Sequence, residues 1–125
     1  MPEGYEHQVT AWWSSGRGGF VKSPAAPNSI HVAAPPQFGG LERRWTPEEL
    51  LLGAMATCFM TTFRILAEKS RFDYLDLEIE VKGRVQKQKR VYRFTGLVIA
   101  PRLKIPGPGT RNGQLIYWKG RKECV

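Results

Sequence analysis

From Leu50 to Phe63 this chain carries no charged side chain, and a run of that kind constrains everything packed around it. The residues just before it read as a helix start. Thr46 supplies an N-cap hydroxyl, Pro47 fits the first helical position, and Glu49 completes a capping box three residues after the cap. Glu48 and Glu49 also suit the positive end of the helix dipole. The pattern predicts a helix from Thr46 to about Lys69. A helix that is apolar nearly all round is expected to be buried. A membrane span needs roughly 20 apolar residues and the uncharged run is shorter, so the expectation is burial within protein and no membrane. Cys58 sits in the middle of this helix.

Such a helix is demanding for a chain of 125 residues. A domain of that size buries only about two-thirds of its unfolded surface, so a partner subunit would help to cover the apolar run. The N-terminal MPEGYEHQ has neither a basic n-region nor an apolar h-region. The two cysteines, Cys58 and Cys124, are too far apart and too few for a disulfide framework. The expected location is therefore cytoplasmic, with thiols available for chemistry.

The formal charge of +8 raises nucleic-acid binding, because six bases fall between Lys82 and Arg93. Several of them alternate with Val81, Gly83 and Val85, as on the outer face of a strand. With no nucleic-acid motif and no pair of aromatics spaced for stacking, the reading is a hairpin tip with solvated charges, and nucleic acid is disfavoured as a partner.

Ahead of the helix, Glu6–Trp13, Phe20–Ser23 and Ser29–Ala33 read as three short strands in a meander, separated by a glycine-rich turn, 14–19, and a second turn, 24–28. The loop 35–40 leads to the helix cap. Beyond the helix, Tyr74–Val85 alternates: Leu75, Leu77, Ile79, Val81 and Val85 against Asp76, Glu78, Glu80, Lys82 and Arg84. That pattern predicts a half-buried antiparallel strand. Residues 86–90 turn it and Val91–Ile105 returns. Leu97, Val98, Ile99 and Ala100 suggest cover on both faces, and Pro101, Pro106 and Pro108 are expected to close the sheet region. Residues 109–125 read as a marginal helix. The expectation is an α+β fold in a single domain spanning residues 1–125, with no metal site and no cofactor.

On residue chemistry alone, Cys58 packs as a small apolar residue or reacts as a thiolate held by a cation. The helix supplies no such cation locally. Arg17, in its glycine-rich turn, is one candidate.

The segments Phe38-Gly39-Gly40, Trp45–Leu51 (WTPEELL) and Ala54–Phe59 (AMATCF) together resemble the OsmC/Ohr family, the osmotically induced and organic hydroperoxide resistance proteins. The resemblance covers roughly Val9 to Pro106, and the spacing of Glu48 ten residues before Cys58 is its most specific part. It implies antiparallel sheets around a long central helix in an intertwined homodimer. It implies a thiol-dependent peroxidase that reduces organic hydroperoxides and is restored by an external dithiol. Residue by residue, Cys58 matches the peroxidatic cysteine, Glu48 the glutamate of the PE motif, Arg17 the arginine of the early glycine-rich turn, and Cys124 the second cysteine. Met55, Phe59, Trp12 and Trp13 are candidates to line an apolar pocket. The family's chain continues past its second cysteine, whereas Cys124 is the penultimate residue here, so the C-terminus is expected to be short.

Helix geometry adds an expectation of its own. Ten residues of straight helix separate Glu48 and Cys58 by about 15 Å and roughly 80° around the axis. A site using both needs either a kinked helix or a pairing of Cys58 of one subunit with Glu48, and with Arg17, of another. The alternative function is a non-catalytic dimer of the same fold that binds a small apolar ligand.

Overall fold

A computed structural model describes residues 3–107, 114–117 and 120–122. The chain divides into two compact units, Met1–Leu50 and Leu51–Val125.

In the first unit, β1 (Thr10–Ser15), β2 (Gly18–Lys22) and β3 (Ile30–Ala33) form an antiparallel sheet in that order, the meander expected from the turn residues. β1 starts at Thr10 rather than Glu6 because its partner ends there, with Thr10 opposite Lys22. It also extends through Ser15 by way of a register shift between Trp13 and Ser15. A short 3₁₀ turn, Pro36–Phe38, ends in Gly39 at φ 76°. At the next residue, a Cβ would lie 1.6 Å from the Ala34 carbonyl oxygen, so only glycine fits at Gly40. This packing returns the chain to β3, where the Ala33 N–H donates to the Trp45 carbonyl and the Trp45 N–H donates to the His31 carbonyl. The strand edge thereby fixes where the helix begins.

The helix α1 spans Pro47–Lys69 without a break. Its capping box forms as the sequence predicts. The Glu49 N–H donates to Thr46 Oγ1 at 3.1 Å, and the Thr46 N–H donates to Glu49 Oε1 at 3.0 Å. At the other end the Phe72 N–H donates to the Ala67 carbonyl at 2.8 Å, with Arg71 in the left-handed region at φ 53°. This is a C-terminal stop made without the glycine that usually supplies it.

In the second unit, β4 (Asp76–Gln88) and β5 (Val91–Ile105) form a long antiparallel hairpin, and β6 (Gln114–Tyr117) and β7 (Gly120–Lys122) both pair with β5. β5 has the bounds that the sequence predicts, and along β4 Leu77, Ile79 and Val81 are half-buried while their neighbours are exposed. The described part of the tail departs from expectation: it is strand, not helix. Pairing with β5 decides the matter, because a weak local preference yields to a ladder that tertiary structure offers. Pro101 does not close the sheet but lies inside β5. It faces Ile79 on one side, while on the other it falls between the β7 ladder at 97–99 and the β6 ladder at 102–105. A residue without an N–H is tolerated at such a gap.

The hairpin turns through Lys89 and Arg90, both at positive φ, 50° and 74°. Two consecutive left-handed residues are what a two-residue primed turn requires, and Asn-Gly is the pair that adopts it readily. Side chains with a Cβ hold it at a cost on the order of 1 kcal/mol each.

The expected burial of α1 is not found. Ala67 is its one buried residue, and Ile65 and Leu66 are 52 % and 58 % exposed. An all-round apolar surface needs cover on every side, and the approaches of the sheet to the helix include Leu52 beside Gly83 and Ile99 in a cleft with α1 residues. The length argument against a membrane also fails. The uncharged run stops at Phe63 but the helix continues to Lys69, and by length and composition it is long and apolar enough to cross a bilayer.

Candidate functional site

Cys58 is exposed, contrary to the buried position expected from its apolar helix. It lies on the wall of an apolar cleft of about 560 Å³, lined from α1 by Ala54, Met55, Phe59, Thr62, Phe63 and Leu66 and from β5 by Ile99. The spacing of the α1 residues is the 3.6-residue period of one helical face, which places the thiol among methyl and phenyl groups. Phe63 is held from behind by edge-on contacts with Phe72 and Tyr74, at centroid distances of 6.3 and 5.3 Å. Of the expected lining residues, Met55 and Phe59 are present. Trp12 and Trp13 belong to the first unit, where Trp12 stacks on Phe20 at 5.3 Å and the Trp13 indole donates to the Gly16 carbonyl at 2.8 Å. Ile99 and Leu66 were not singled out from the sequence as lining residues. The apolar quartet of β5 held the signal for Ile99, but which helix face it meets is a tertiary fact.

Arg17 and Glu48 belong to the first unit. Arg17 Nη1 donates to the Gly39 carbonyl at 2.6 Å, so its guanidinium braces the Phe38-Gly39-Gly40 loop. Glu48 is in the first turn of α1, ten residues before Cys58, or about 15 Å of helix axis. Its Oε2 is buried with no hydrogen-bond partner among the described residues, and no ion pair joins it to Arg17 among them. A buried carboxylate oxygen without a donor is costly. Cys124 lies outside the described residues. No cluster of three or more His, Cys, Asp or Glu arranged for a metal occurs among the described residues.

A thiol on an apolar wall, with no charged group in the lining, can admit an organic molecule and react with it, or merely pack against it. Comparison with known proteins narrows the setting. Residues 39–122 match the family model for OsmC-like protein. The uncharacterized protein YmaD of Bacillus subtilis is 31 % identical over 95 residues, which cover 74 % of this chain and 62 % of that relative's length. An OsmC-like protein of unknown function from Vibrio cholerae has a similar structure, with a TM-score of 0.69 at 19 % identity, over 97 % of this chain and 80 % of that one. The long helix bearing Cys58, the antiparallel sheets and the match over most of the chain agree, and the chain belongs to the OsmC-like family.

Proposed function

We propose that this protein is a thiol-dependent peroxidase that reduces organic hydroperoxides through Cys58. The observation that carries the reading is the exposed Cys58 thiol on the wall of an apolar cleft, a setting that suits an alkyl or aryl hydroperoxide better than hydrogen peroxide. In the first step the thiolate attacks the distal peroxide oxygen. The O–O bond breaks, the alcohol leaves with a proton, and Cys58 becomes a sulfenic acid. An external dithiol then returns two electrons, releasing water and restoring the thiol, directly or through a disulfide with Cys124. Such a cycle belongs in a reducing compartment.

A thiolate needs a nearby cation, and the cleft lining contains none. The proposal therefore includes a homodimer in which Glu48 and Arg17 of one copy serve Cys58 of the other. The unpartnered Glu48 Oε2 and the uncovered apolar flank of α1 both support it.

The test is consumption of cumene hydroperoxide by the dithiol-reduced protein, with mass spectrometry of Cys58. Turnover that is lost in Cys58→Ser supports the proposal. No oxidation of Cys58 and no peroxide loss would overturn it in favour of an apolar-ligand binder, a second reading favoured by the absence of charge in the cleft lining. Mixing inactive Cys58→Ser with inactive Glu48→Gln tests the shared site. Partial recovery of turnover is expected if the two residues act across the dimer, and none if they act within one chain.

A further inference from the structure

The outer end of the β4–β5 hairpin is an arm with its own chemistry. β7 pairs with β5 at 97–99 and β6 at 102–105, so between Arg84 and Gly96 the described strands pair only with each other. The arm carries Arg84, Lys87, Lys89, Arg90 and Arg93, with Lys82 at its base, and no acid occurs between Val81 and Ile105. Lys82 pairs with Glu80 at 3.3 Å, and the other five form no ion pair among the described residues. Interleaved with them are exposed apolar side chains: Val85, Val91 and Tyr92, at 39 %, 49 % and 50 %. Lys87 reaches over the Tyr92 ring, its Nζ 6.0 Å from the centroid. At the apex, Lys89 and Arg90 occupy the two left-handed turn positions that favour Asn and Gly. The turn therefore holds cations where its backbone selects against them.

We propose that this arm docks on an anionic membrane surface. The bases would meet lipid phosphates, and Tyr92 and Val91 would settle at the level of the headgroups, where tyrosine is enriched. The apolar residues decide between this and a nucleic acid. A phosphate backbone attracts the same cations but offers nothing to exposed valines, and a single tyrosine covered by Lys87 makes no stacking platform.

The inference does not depend on the peroxidase reading, and the two fail separately. The experiment is co-sedimentation of the full chain with phosphatidylglycerol-containing vesicles, pure phosphatidylcholine vesicles, and a short DNA duplex. Binding to the anionic vesicles that weakens with salt, with little binding to phosphatidylcholine, is expected. The double variant Lys89→Asn/Arg90→Gly removes two cations while giving the turn its preferred residues. It should bind anionic vesicles about 25-fold more weakly, about fivefold per cation, with a thermal midpoint no lower than the parent's. Tyr92→Ser should loosen the binding that survives at high salt. Cys58→Ser should bind as the parent does. No sedimentation with anionic vesicles, unchanged binding by the turn variant, or capture of the duplex in preference to vesicles would each overturn the proposal.

Discussion

The first turn of α1 and its middle belong to one helix and obey different rules. At the start, Thr46 is buried and its backbone and side chain exchange three hydrogen bonds with Glu49. The capping bonds of this turn lie within four residues. In the middle, Cys58 is exposed and its apolar neighbours line an open cleft. A cap is a local bargain between neighbours in sequence, whereas a covered face depends on what arrives from elsewhere.

Substitutions sharpen the contrast. Cys58→Ser should lower peroxide turnover by roughly three orders of magnitude or more, since it removes the nucleophile, and circular dichroism should show no loss of helix, because the residue is exposed. If the middle of α1 is an interface, Leu66→Glu should shift a dimer to monomer by light scattering. A buried charge without a partner costs several kcal/mol, and an unchanged mass would show that this face is not the contact. Thr46→Ala should cost about 1 kcal/mol in chemical denaturation and leave turnover per folded molecule unchanged. The smallest effect belongs to Glu49→Gln, which retains a capping-box acceptor and should cost only a few tenths of a kcal/mol, mostly through the lost charge at the dipole.

The same division explains what could be read in advance. The capping box, the alternation of β4 over Leu77, Ile79 and Val81 and the bounds of β5 rest on near neighbours, and the structure reproduces them, whereas Leu75 and Val85 are exposed. The location of Cys58 on a helix within an α+β fold was legible from the motif around it. Its exposure was not, because hydrophobicity states what a side chain would gain from cover and not whether the chain supplies any. The described tail strands were misread for a related reason: their pairing with β5 joins residues distant in sequence, and Gly113 and Gly120 weakened every local preference alike. Pro101 looked like a terminator because the gap between two ladders that accommodates it exists only once the sheet has formed. Arg17 was singled out as a cation for a thiol. Its bond to the Gly39 carbonyl gives it a second occupation that no spacing rule would reveal.

The threonines of α1 carry one more consequence. Thr57 donates its hydroxyl to the carbonyls of Gly53 and Ala54, and Thr61 to those of Thr57 and Cys58. Both protons are thus engaged inside the helix, and the hydroxyls ask little of whatever approaches from outside. Two letters that count as polar in any hydropathy tally behave here more like valines. The helix is drier to a visitor than its composition declares, and an acyl chain or a second helix could lie along it without leaving either hydroxyl proton unsatisfied.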